Sequence, residues 1–169
     1  MSFWETVGAS GFGAFFGFLG ALAVFLVQEG NKRRRLDAAT VQNLKLEIAY
    51  NVNLYEKFEE QIQSCIEAIS NDSRTVYLNL DYEFVGTHFA KQFYQNGLLL
   101  KYFHPEDMRR WNVMLNQVGS GTDAYVGECV DQWREDKGIE KESVYKALKH
   151  EKDQITYAKE MSEYIQCKL

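Results

Sequence analysis

Proline occurs once in the chain, at Pro105, and glycine is sparse outside the first 30 residues. Neither turn-rich β architecture nor a Pro-rich linker fits such a chain, so the expectation is helix. Only three cysteines occur, Cys65, Cys129 and Cys167, far apart and without a C-x-x-C pair. That excludes a disulfide framework or a zinc knuckle and suits a reducing compartment. The three histidines, His88, His104 and His150, are widely spaced and lie in no H-E-x-x-H. There is no P-loop and no Gly-x-Ser-x-Gly elbow, so no catalytic residue, metal ligand or cofactor is expected, and the chain does not read as an enzyme. Gly119-Ser120-Gly121-Thr122 lacks the lysine of a P-loop and reads as an inter-helix turn.

Charge is absent from residues 6–28, TVGASGFGAFFGFLGALAVFLVQ. Such a run reads as a spanning helix, because lipid cannot satisfy exposed backbone groups. At 1.5 Å per residue the 23 positions reach about 35 Å, enough for a hydrocarbon core of about 30 Å. Its 11 Phe, Leu and Val residues favour insertion by about 3–7 kcal/mol before glycines and polar groups reduce it. No basic segment precedes the run, which argues against a cleaved signal. Lys32, Arg33, Arg34 and Arg35 follow it within a juxtamembrane linker, 29–36, while Glu5 precedes it. The positive-inside rule then places the N-terminus outside and the rest in the cytosol, as a single-pass protein; the absence of eukaryotic targeting or lipidation signals is compatible with a bacterial inner membrane. Gly13, Gly17, Gly20 and Ala21 form a small-residue face where membrane helices pack closely.

Without Glu5, Glu29 and those four cations, residues 36–169 hold 15 Lys and Arg against 22 Asp and Glu, a net −7. A domain so acidic is a poor general binder of duplex nucleic acid. About 130 residues is one domain's worth, here 37–169. Val41, Leu44, Ile48, Asn51, Tyr55, Phe58, Ile62, Cys65 and Ile69 repeat at 3-4 spacing, the pattern of a helix seam that Asp37 would cap and Ser70-Asn71-Asp72-Ser73 would end. The seam either packs in its own core or forms a coiled coil in which Val41, Leu44, Ile48 and Asn51 meet a sister subunit. Thr75–Leu80 alternates and predicts a short strand. Phe84–Tyr94 predicts a second helix stopped by Gly97, and His104-Pro105-Glu106-Asp107 starts another. A helix resumes through Tyr125, Cys129 and Trp133. The last spans about 140–166 with Val144, Leu148, Ile155, Ala158, Met161 and Ile165 inward. The fold class is mainly α, one transmembrane helix plus a cytosolic helical bundle.

The richest mixture of cations, amides and aromatics lies between His88 and Trp111. His88, Lys91, Gln92, Asn96, Lys101, Arg109 and Arg110 are the expected ligand residues, since phosphate contact and base stacking need these types.

A small-residue span, then KRRR, then a helix with Leu46-Glu47-Ile48 and Asn51, then a small helical domain, resembles small bacterial membrane effectors of antiphage defence. In particular it resembles the membrane-anchored ancillary effectors of type III CRISPR systems. That resemblance rests on architecture and size over the full length. It implies a homotetramer that binds cyclic tetra-adenylate across its subunits and then perturbs the bilayer. Two other classes compete: a membrane-tethered adaptor for a protein partner, and a holin-like toxin subunit that needs no ligand.

Overall fold

The computed structural model describes the backbone of residues 3–117 and 122–169, and the side chains of 17–115 and 124–169. It is mainly helical. Helix α1 is Phe3–Ser70, α2 His88–Gln95, α3 Leu99–Tyr102, α4 Pro105–Gln117, α5 Thr122–Arg134 and α6 Lys141–Lys168, with a 3₁₀ turn at Tyr82–Phe84. The chain divides into two units, Met1–Thr40 and Val41–Leu169.

In the first unit, Asp37 caps nothing: α1 is already helical there and begins at Phe3. The expected linker, 29–36, is helical as well. It has no proline and only Gly30 to weaken it, and an i,i+4 pair between Arg33 and Glu29 (3.5 Å) supports it. Thr40 donates its hydroxyl to the Leu36 carbonyl at 2.9 Å. Of the apolar run, only residues 17–28 have described side chains, and 12 helical residues reach about 18 Å. Among the described residues, accordingly, no helix is long and apolar enough to cross a membrane. The side chains of 6–16, Gly13 included, lie outside the description. At Gly17 and Gly20 an added Cβ would meet nothing within 4 Å.

In the second unit the 3-4 stripe is the heart of the core. Leu44, Ile48, Tyr55, Phe58, Ile62, Cys65 and Ile69 are buried within their own chain, and Val41 packs half-buried against the same cluster. This corrects the intersubunit seam: Leu44, Ile48 and Asn51 have no surface left for a sister copy. All six inward residues expected on α6 are buried, and α6 packs on α4 and α5. Helix α6 runs antiparallel to the part of α1 from Glu56 to Ser70. Lys152 donates to Gln63 (2.8 Å), Thr156 to Glu59 (2.5 Å), and Lys159 bridges Glu56 and Glu59 (3.2 Å each).

Residues 75–80 form no strand. Val76 and Leu80 turn inward and Tyr77 outward, so the alternation holds, but among the described residues no second segment pairs with it to make a ladder. The backbone bonds to α1 side chains instead: Cys65 Sγ donates to the Tyr77 carbonyl (3.5 Å), and the Asn79 N–H donates to Gln61 Oε1 (3.4 Å). The second helix starts at His88, later than Phe84: Tyr82–Phe84 is a 3₁₀ turn, and Asn51 takes both the N–H and the carbonyl of Gly86. Gly97 (φ 69°) stops it as expected. On α5, Tyr125 is exposed, while Val126 and Val130 fill the core with Cys129 and Trp133. Val118 and Gly119–Gly121 lie outside the described residues.

Candidate functional site

The site begins with two side chains one turn apart on α1. Asn51 Nδ2 donates to the Gly86 carbonyl at 2.7 Å, and the Gly86 N–H donates to Asn51 Oδ1 at 2.8 Å. The N–H groups of Phe89 and Ala90 donate to Glu47 Oε2 and Oε1 at 2.8 and 2.9 Å. Thr87 sits at the N-cap of α2 without a side-chain cap bond. Glu47 thus satisfies the orphan donors of that helix from outside and places its negative charge at the positive end of the dipole. Glycine at position 86 allows the close approach, since a Cβ there would lie 3.0 Å from Glu47 Cγ.

Clamped this way, 85–90 forms one wall of a cavity of about 490 Å³. Tyr55 from α1, Tyr82 from the 3₁₀ turn, Leu99 from α3, and Met108, Trp111 and Leu115 from α4 complete the apolar lining. Lys91 and Tyr94 stand exposed beside it, and Gln95, Asn112 and Thr87 add neutral hydrogen-bonding groups. Behind the wall, the buried Tyr82 hydroxyl donates to Glu151 Oε1 of α6 at 2.5 Å. Burial pushes the Tyr55 phenol well above its ordinary value. Among the described residues, no carboxylate, cysteine, serine or histidine lines this cavity. Its size is in the range of small-molecule sites, and its chemistry suits a planar, largely apolar body carrying a negative charge near Lys91.

Of the seven expected ligand residues, Lys91 alone lines the cavity. Arg109 and Arg110 both reach Glu106, at 2.9 and 3.3 Å. Arg109, and after it Arg110, holds the Glu106 carboxyl below its ordinary range. The Lys101 ammonium lies 5.5 Å from the Tyr102 ring centre, and His88 meets Phe89 edge-on at 5.0 Å. Gln92 is exposed, and Asn96 ends α2. The aromatics of the segment pack mainly on one another. Phe93, Phe103 and Trp111 are buried with centroids 5.8–6.4 Å apart. Tyr55, Tyr82, Gln95 and Asn112 were not foreseen. They come from separate segments, and singly they look like core or solvated-face residues.

Among the described residues no group of three or more His, Cys, Asp or Glu is placed to hold a metal ion. Compared with known proteins, the chain matches no family, no curated protein and no solved structure.

Proposed function

We propose that the chain is a ligand-responsive membrane effector: the helical domain takes a small anionic, ring-bearing ligand beside Lys91, and the apolar N-terminal run carries the response into a bilayer. The observation behind this reading is the apolar, aromatic-walled cavity of about 490 Å³ with Lys91 and two amides at its edge. Amides of Gln and Asn can exchange two hydrogen bonds with an adenine edge, and tyrosine rings can stack on a base. The resemblance makes cyclic tetra-adenylate the first ligand to try. One lysine per subunit is enough for it, because four copies about a symmetric ring would bring four cations to four phosphates. A ligand works as a signal only if it favours one arrangement of the chains over another.

The test uses the full chain in detergent with cyclic tri-, tetra- and hexa-adenylate and AMP. A ligand at 100 times its Kd stabilises the folded state by about 2.7 kcal/mol. The Lys91→Glu variant should fold normally and lose that stabilisation. The double variant Arg109→Gln, Arg110→Gln should keep it, since both side chains are engaged with Glu106. No stabilisation by any member of the panel rejects the effector reading and favours an adaptor.

A further inference from the structure

Where the uncharged run ends, Gln28, Asn31, Lys32, Arg35 and Leu36 line one shallow recess on α1. Gln28, Asn31, Lys32 and Arg35 occupy positions i, i+3, i+4 and i+7, so they share one helix face. No acid occurs among them. Lys32 lies at i+3 and Arg33 at i+4 from Glu29, whose carboxylate reaches Arg33 at 3.5 Å. All four juxtamembrane cations are exposed, but Arg33 has a carboxylate partner, whereas Lys32 and Arg35 line the recess beside two amides, which Arg34 does not.

We propose that this recess is a binding site for the phosphate headgroup of an anionic phospholipid. The proposal rests on the membrane reading above. The arginine fork can meet two phosphate oxygens at once, the lysine adds a point charge, and the amide N–H groups supply neutral donors. The recess opens at Gln28, the last residue of the uncharged run, so its donors stand at headgroup depth when that run is in lipid. The attraction of juxtamembrane cations to anionic lipid supplies the affinity. The stripe of donors supplies the place. The site gives the chain a preference for the negatively charged leaflet beyond the general pull of its four cations.

The experiment uses the full chain in detergent and a phosphatidylglycerol labelled on its acyl chain, with binding read by fluorescence anisotropy. Saturable binding is expected, with the phosphatidylcholine analogue weaker. The variant K32Q/R35Q should weaken phosphatidylglycerol binding roughly 30-fold, the loss of two surface cations. The variant R33Q/R34Q, of equal charge, should weaken it much less. Equal loss in both variants overturns the proposal in favour of diffuse charge. Competition by millimolar inorganic phosphate overturns it in favour of a free-anion site, and equal binding of phosphatidylcholine overturns the headgroup preference. An alkaline carbonate wash of membranes separates the two layers of the argument. A chain released by the wash removes the membrane reading and this site with it. A chain that stays in the membrane yet binds no phosphatidylglycerol removes this site alone.

Discussion

Asn51 shows how one polar residue in an apolar stripe is explained by what it touches. Its amide makes a reciprocal pair with the Gly86 backbone. Asn51→Leu would keep the volume but leave a donor and an acceptor of Gly86 unpaired in a part-buried place. We expect a loss of about 2–3 kcal/mol in urea unfolding. Gly86→Ala should lose less, about 1 kcal/mol, because Glu47 can shift from the new Cβ. Tyr55 makes a prediction in pH. Its folded pKa is raised by burial, so its contribution to stability is fully present below the unfolded value near 10. Above pH 10 the unfolded phenol ionises while the folded one keeps its proton, and stability falls as pH rises. Tyr55→Phe should flatten that alkaline decline in unfolding curves taken between about pH 9 and 11. An equal decline in the variant would place its cause in other groups.

At the scale of elements, three helices end in the same way. Asp72 (φ 53°), Gly97 (φ 69°) and Asp136 (φ 57°) sit just past α1, α2 and α5 in left-handed conformation. Each is followed by a six-to-one backbone bond: Ser73 to Ala68, Leu98 to Phe93, and Lys137 to Gln132. These are Schellman closures, and aspartate at such a position is strained relative to glycine. Both aspartates meet a cation from elsewhere. Lys141 reaches Asp72 (2.6 Å) and the Ser70 carbonyl (3.1 Å). Arg74 pairs with Asp136 (2.9 Å), donates to the Trp133 carbonyl and lies 4.7 Å from the Trp133 ring centre. Arg74 therefore joins the α1–turn connection to the end of α5. Arg74→Ala should cost about 1–2 kcal/mol by thermal or urea unfolding. Asp136→Gly should be neutral to slightly stabilising, since relief at positive φ offsets an exposed ion pair. A large loss on Asp136→Gly would mean that the pair with Arg74 outweighs the backbone strain.

For the whole molecule, the question is which surface would bring copies together. The hydrophobic stripe of α1 is covered by its own chain, and the small-residue face around Gly17, Gly20 and Ala21 is one surface to test. If copies associate there, Gly17→Leu should reduce the oligomer size of the full chain in detergent, read by light scattering, with the helical domain still folded. An unchanged size would place association in residues 41–169.

The core was legible as sequence wherever a period runs long. The α1 and α6 stripes are governed by a 3.6-residue repeat, and every expected inward residue from Leu44 to Ile69 and Val144 to Ile165 is buried. Short elements were less legible. The alternation at 75–80 specified an extended chain but not a strand, because a strand needs a partner that local pattern does not name. The site was least legible. Glu47 lies about 40 residues from the N–H groups it accepts, and Asn51 lies 35 residues from Gly86. The cavity draws on four helices and a turn. By itself the sequence determined the helical class, the acidic domain, the uncharged run and the basic residues after it, since each depends on composition or on neighbours along the chain. Tertiary structure decided that the apolar stripe belongs to its own domain, that Arg109 and Arg110 are engaged with Glu106, and that Lys91 stands beside a cavity. Those outcomes depend on which distant residues become neighbours in space, and no local periodicity encodes that.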